Sequence, residues 1–288
     1  MAKRKQQDNG KDTSDDESDS ERSLVDVDFE FFDPNPDVDF LALKRLITQL
    51  FQTDAQILPV HDLADLILAQ PLVGSSVKCD GRESDPFAFL TALNLHVHKD
   101  RPSIKALTAY ILEKSSADST LHSKLQTLLG PAALASPNSK PVGFVFSERL
   151  INMPVQIMPH MFRMLADEIQ WALDDNEPYD FSHLILVSRV YRLTAEEAAE
   201  LHASAPRAKR QKQSDPPQGA GVYPFHPEDD IIRKFAAHTL DYTFTHAQPR
   251  TEEAFGLDTG GRMMLIPTSR LRDIAAALAE AFPQPSES

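Results

Sequence analysis

The side chains in this chain whose types and spacing could do chemistry are few, and most point away from catalysis. No Gly-x-x-x-x-Gly-Lys-Ser/Thr loop, Gly-x-Gly-x-x-Gly turn, Gly-x-Ser-x-Gly elbow or His-Glu-x-x-His pair occurs. His96 and His98 stand two apart on an expected strand, a spacing that could offer two imidazoles to a metal. Lys99 and Arg101 beside them oppose a cation, and no third ligand stands near. His226 with Glu228, Asp229 and Asp230 has the look of a ligand cluster. A helix start explains it more simply: Pro227 suits the first turn and three acids complement the helix dipole. Gly219-Ala220-Gly221 and Gly260-Gly261 read as loop flexibility. Met153, Met158, Met161 and Met164 beside Phe162 read as a core stripe rather than an adaptable binding face.

Three groups suit binding. Trp171, Asp174, Asp175, Glu177 and Tyr179 mix acids with aromatics at the end of an expected helix, a combination that recognises Arg-rich protein surface by carboxylate pairing and cation–π contact. Asp26, Asp28 and Glu30 form the polar face of an expected strand. Asp15, Asp16, Glu17, Asp19 and Glu21 make an acidic arm for a basic partner. Ser14 and Ser18 each precede an acid by three residues, the setting acidophilic kinases favour, and phosphate there would deepen the negative field. Lys3, Arg4 and Lys5, with Arg207, Lys209, Arg210 and Lys212, read as nuclear-import signals.

Composition narrows the partners. The 288 residues carry 43 acidic against 29 basic side chains, a formal charge of −14. Phosphate contacts need clustered Lys and Arg, so direct nucleic-acid binding is not expected and a basic protein partner is. Residues 1–23 hold 7 acids and 5 bases, so that segment is charge-segregated and most of the excess belongs to the rest of the chain. Cys79 is the one cysteine, which leaves no disulfide framework. No run is long enough to span a membrane, and Lys3-Arg4-Lys5 opens no apolar signal core. The expectation is a soluble, unsecreted monomer.

The elements that must position these groups follow from periodicity. Val25, Val27, Phe29 and Phe31 alternate with acids as a strand. Helices are expected at 40–51, with Asp37 or Asp39 as cap, around Leu63–Ile67, at 102–114, 118–129, 154–173 and 227–235, and from Leu271 to Phe282. Strands are expected at Pro71–Lys78, Phe87–His98, Val142–Ser147, Phe181–Leu193, His238–Thr245 and Arg262–Ile266, the second of them covered on both faces. The pattern gives a single α/β domain over 24–284, a mixed central sheet flanked by helices. Residues 1–23 and 285–288 are expected to be disordered, and 206–221 to be a flexible basic insertion.

Three blocks carry a family resemblance: Val25-Asp26-Val27-Asp28-Phe29-Glu30-Phe31-Phe32; Val73-Gly74-Ser75-Ser76-Val77-Lys78 with Phe87-Ala88-Phe89-Leu90-Thr91-Ala92-Leu93-Asn94; and Tyr223-Pro224-Phe225-His226-Pro227-Glu228-Asp229. In this order the chain resembles the BCCIP family, most closely its fungal nuclear chaperone and export members. The resemblance implies a domain similar in architecture to the Gcn-five-related acetyltransferases but used for protein binding, without cofactor. It implies a nuclear protein that shuttles to the cytoplasm with nuclear transport receptors. Its client would be a newly made basic large-subunit ribosomal protein, with a lipid kinase as a further export client. The acetyltransferase cofactor turn is absent. Two alternatives stand beside this reading: an acetyl-CoA-dependent acyltransferase with a diverged loop, and a scaffold in cell-cycle or recombination control.

Overall fold

A computed structural model describes residues 28–204, 220–247 and 258–283. Eight strands form one sheet in the order β1 (Glu30–Phe32), β2 (Ser75–Lys78), β3 (Ala88–Asn94), β4 (Val142–Arg149), β5 (His183–Leu193), β8 (Asp258–Pro267), β7 (His238–Thr243), with β6 (Gly221–Pro224) on β5. Every pairing is antiparallel except β4 with β5. A parallel pair needs a long crossover, and here α6 (Met158–Asp174) supplies it.

Alternation along the central strands makes two cores. Phe89, Leu93, Phe144, Phe146, Ile185, Val187, Met263 and Leu265 face one side, under α1 (Phe40–Phe51), α2 (Val60–Leu68), α3 (Pro102–Ser115) and α4 (Ser119–Leu129). Leu90, Ala92, Val145, Leu184, Leu186, Met264 and Ile266 face the other, under α6 and α9 (Leu271–Ala281). Successive strand side chains point to opposite faces, so runs that are apolar throughout must be covered twice. The expected helix near 118 starts with Asp118, whose Oδ1 accepts from the Thr120 and Leu121 amides.

Several expectations are corrected. The strand expected from Val25 pairs only over Glu30–Phe32 among the described residues. Pro71–Gly74 and Leu95–His98 lie outside β2 and β3, so His96 and His98 sit in a turn, not on a strand face. There His96 Nδ1 accepts from the Val142 amide. Asp39 stands at the N-cap position of α1 as expected, but its carboxylate makes no capping bond: it receives the Asn35 amide and the fully buried Lys78 ammonium, 2.6 Å away. Gly260 and Gly261 are not a loop but lie within β8, where a Cβ on Gly261 would run into the Tyr242 ring. The ring covers the glycine across the strand pair, and its hydroxyl reaches Tyr110, which donates to Asp54. Two further short helices, α5 (Pro131–Ala135) and α7 (Ala195–Ser204), complete the upper part of the chain, and α8 (Glu228–Ile232) follows β6.

Candidate functional site

The acid and aromatic group at 171–179 is built by the end of α6. Asn176 adopts a left-handed backbone with φ of 61°; its amide bonds Leu173 O at 3.0 Å and the Glu177 amide bonds Ala172 O at 2.8 Å. These two bonds close the helix in a Schellman motif and turn the chain outward. Trp171 is 65% exposed, and Asp174, Asp175 and Glu177 are exposed beside it. None of the three carboxylates forms a salt bridge among the described residues, and the last turn holds no basic side chain. Carboxylates at a helix C-terminus oppose its dipole, so Asp174 and Asp175 stand where the helix alone would not favour them.

Tyr179 departs from its expected role. It is buried, with its ring edge-on to Phe181 and its hydroxyl donating to Gln70 Oε1 at 3.3 Å. Together with Asn94, whose side-chain amide donates to the Pro178 carbonyl, it pins the acidic loop from beneath. A loop held in place loses less freedom when a partner binds. Asp28 and Glu30 are exposed, Glu30 alone lying in β1, and they precede Phe31, which meets His160 at the other end of α6. Asp26, the arm Asp15, Asp16, Glu17, Asp19 and Glu21, the serines Ser14 and Ser18, and both basic clusters (Lys3, Arg4, Lys5; Arg207, Lys209, Arg210, Lys212) lie outside the described residues.

A second constellation was missed as a unit. β4 and β5 pair only from Val142 to Val145 and then separate. β6 and α8 fill the opening, carrying His226, Glu228 and Asp229 inward. Arg189 donates to both oxygens of Glu148 at 2.9 and 3.0 Å, His226 Nε2 lies 2.7 Å from Glu148 Oε1, and Arg149 grips Glu228 with two bonds of 2.8 and 2.9 Å. The Arg189 guanidinium also stacks on Phe225 at 4.6 Å. The expected helix start is present, with Glu228, Asp229 and Asp230 in the first turn of α8, but Glu228 and Asp229 are buried, and of the three Asp230 alone keeps a half-exposed side chain, shared by Arg233 and Arg262.

The electrostatics follow from burial and pairing. Burial pushes the Glu148 carboxyl up, but the His226 hydrogen bond and charge and the Arg189 guanidinium bring it down to about 2. Asp229 is ion-paired to no arginine among the described residues; burial first and the Glu228 charge second push it up to about 7. The side chains of Glu148, Arg149, Arg189, His226 and Glu228 are each no more than 7% exposed, so this acid–base cluster cannot reach a substrate and acts as a packed plug. The usable sequence signal was the charge embedded in strands: Glu148-Arg149 ends one apolar run and Arg189 interrupts another. The remaining candidate ligands are modest. His61, Asp62 and Asp65 are the one group of such side chains close enough to share a cation among the described residues, and all three are solvated on α2. No described helix is long and apolar enough to cross a membrane.

Residues 24–232, a span that holds the acidic corner and the plug, match the BCCIP family model. The chain belongs to the BCCIP family. Curated BCCIP relatives agree over nearly the full length: the protein named bcp1 of Aspergillus fumigatus is 44% identical over 271 residues, covering 91% of this chain and 89% of that one. The bcp1 protein of Schizosaccharomyces pombe is 41% identical over 266 residues, 90% and 91% of the two chains. The crystal structure of BCP1 from Saccharomyces cerevisiae superposes with a TM-score of 0.61 at 26% identity and covers 92% of each chain. The BCCIP match ends at Ile232, yet β7, β8 and α9 beyond it complete the same sheet and its cover.

Proposed function

We propose that this BCCIP-family chain is a non-enzymatic escort that shields a newly made, basic large-subunit ribosomal protein, using exposed carboxylates in place of rRNA phosphate. The acidic corner on α6 carries this reading: a pinned loop presents Asp174, Asp175 and Glu177 beside an exposed Trp171 without an ion-pair partner among the described residues, Asp174 accepting only from the Gln170 side-chain amide at 3.0 Å. Carboxylates fork onto arginine and the indole face takes a second cation, which is the chemistry an Arg- and Lys-rich client offers. Burial sharpens the field around it. Five basic and six acidic side chains are buried among the described residues, a net of −1, so −13 of the −14 lies outside that set. Such a field speeds encounter with a basic protein, while the folded corner sets its orientation.

The escort works in the nucleus and shuttles to the cytoplasm through nuclear transport receptors recruited by Lys3, Arg4, Lys5, Arg207, Lys209, Arg210 and Lys212; a lipid kinase is a further export client. The parallel β4–β5 pair in an otherwise antiparallel sheet supports likeness to the Gcn-five-related acetyltransferase architecture. The opening beyond that pair is packed with the His226 plug, which favours binding over acyl transfer. Association kinetics test the reading. The Asp174→Lys/Asp175→Lys chain should capture basic large-subunit ribosomal proteins at least tenfold more slowly at low salt, and the difference should shrink as salt screens the charges. Equal rates for both chains would remove the corner from the mechanism.

A further inference from the structure

On the outer side of α6, away from the acidic corner, α6 and α9 leave a groove of about 640 Å³ between them. It is lined by small apolar side chains, Ala275, Ala276 and Ala279 on α9, the last two exposed, and by His160, Arg163 and Arg272. Arg163 is exposed, bonds His160 Nδ1 at 2.7 Å and has no carboxylate partner among the described residues. Arg272 is exposed too and, among the described residues, pairs only with Asp167, at 3.1 Å. A positive, alanine-lined channel is unexpected on a chain of charge −14.

The first described part of the chain arrives at this channel's mouth. Phe31 of β1 packs edge-on against His160 with ring centroids 4.4 Å apart, and His160 is itself a groove wall. Residues 1–27 precede Asp28 in the chain. The pairing of Asp167 with Arg272 sets α6 and α9 antiparallel at that point, so the α6 start at His160 lies towards Ala279. The groove along α6 is about 10 Å long at 1.5 Å per helical residue, and nine extended residues reach about 30 Å. The segment immediately before Asp28 matches its lining: Leu24, Val25 and Val27 are apolar, and Asp19, Glu21 and Asp26 outweigh the single Arg22.

We propose that residues 19–27 of this chain dock into the α6–α9 groove, their apolar side chains on the alanines and their carboxylates on Arg163 and Arg272. The acidic arm is thereby anchored at its base on the folded domain. This is independent of the escort reading, since the contact is within one molecule and its test uses no client.

A nitroxide on the full chain reads the contact directly. Ser23→Cys in a Cys79→Ser background carries the label, and alanine methyl groups report on the domain. Ala275, Ala276 and Ala279 should lose more than half their signal intensity, and reducing the nitroxide should restore it. The loss should fall at least threefold with Arg163→Glu, and also in about 0.5 M salt without any substitution, so the result does not depend on the variant folding. Full intensity at all three methyls, or equal losses on alanines remote from the groove, would overturn the proposal. So would the same methyls being quenched by a label at Ser286→Cys but not at position 23, which would give the groove to the C-terminal residues.

Discussion

Asp229 is a carboxyl that the fold holds against its chemistry. Its value near 7 in the folded chain exceeds the ordinary 3.8, so the native state binds the extra proton between those limits, and stability falls as pH rises through that window. Asp229→Asn, which carries no charge to desolvate, should therefore raise stability at pH 8 by on the order of 2 kcal/mol and flatten the thermal-melt profile between pH 5 and 8. A profile as steep as the parent's would place the titration elsewhere. Glu148 has the opposite sign. Held down to about 2 against an ordinary 4.5, it contributes stability that is present above the ordinary value and is lost as pH falls between the two. Glu228→Ala would strand the buried Arg149 and should cost about 3 to 5 kcal/mol in denaturant unfolding. At this scale the sequence was half legible. His226, Glu228 and Asp229 stood out as a group, but their partners are Glu148, Arg149 and Arg189, between 37 and 79 residues away, and a local pattern carries no information about which strand will lie opposite.

The end of α6 shows how an element can trade its own stability for presentation. Asp174 and Asp175 oppose the helix dipole without a basic neighbour in the turn. Asp174→Lys/Asp175→Lys should therefore stabilise the fold by about 1 kcal/mol in total, read as a small rise in Tm, while slowing client capture. A fall in Tm would mean that the carboxylates serve the fold after all. Elements were more legible than contacts. Periodicity placed the helices from α1 to α4, α6 and α9, because burying a stripe fixes the spacing of the apolar residues that form it. It overran at strand ends: Pro71–Gly74 and Leu95–His98 are apolar enough to read as strand, yet only hydrogen-bonded neighbours decide where a strand stops. Gly260 and Gly261 misled for a related reason, since the Tyr242 ring that makes a glycine suitable there comes from another strand. Tyr179 read as surface by its acidic company, whereas its side chain turns under the loop to Gln70.

Charge is the property that spans the whole molecule. Composition alone gave a net of −14, and the fold adds that the buried set nearly balances, leaving the excess outside it. The basic residues Arg207, Lys209, Arg210 and Lys212 are set against that field as a local exception. Replacing all four by Gln should move the chain from nucleus to cytoplasm in fluorescence images, and an unchanged distribution would discard them as an import signal. The family membership rests on residues spread through the sheet and both cores, which is why it was readable from three blocks in order. The acidic corner proposed as the client surface was legible as a cluster of residue types but not as a pinned corner, because Asn94 and Gln70, which hold it, are brought there by the tertiary fold. The most direct measurement is affinity purification at moderate salt from growing cells, with the parent chain and a Trp171→Ala/Asp174→Asn/Asp175→Asn/Glu177→Gln chain of matched stability. The account predicts one stoichiometric basic large-subunit ribosomal protein on the parent and its loss from the variant. Recovery of that protein in equal amount on both chains, or of no basic protein on the parent, would contradict it.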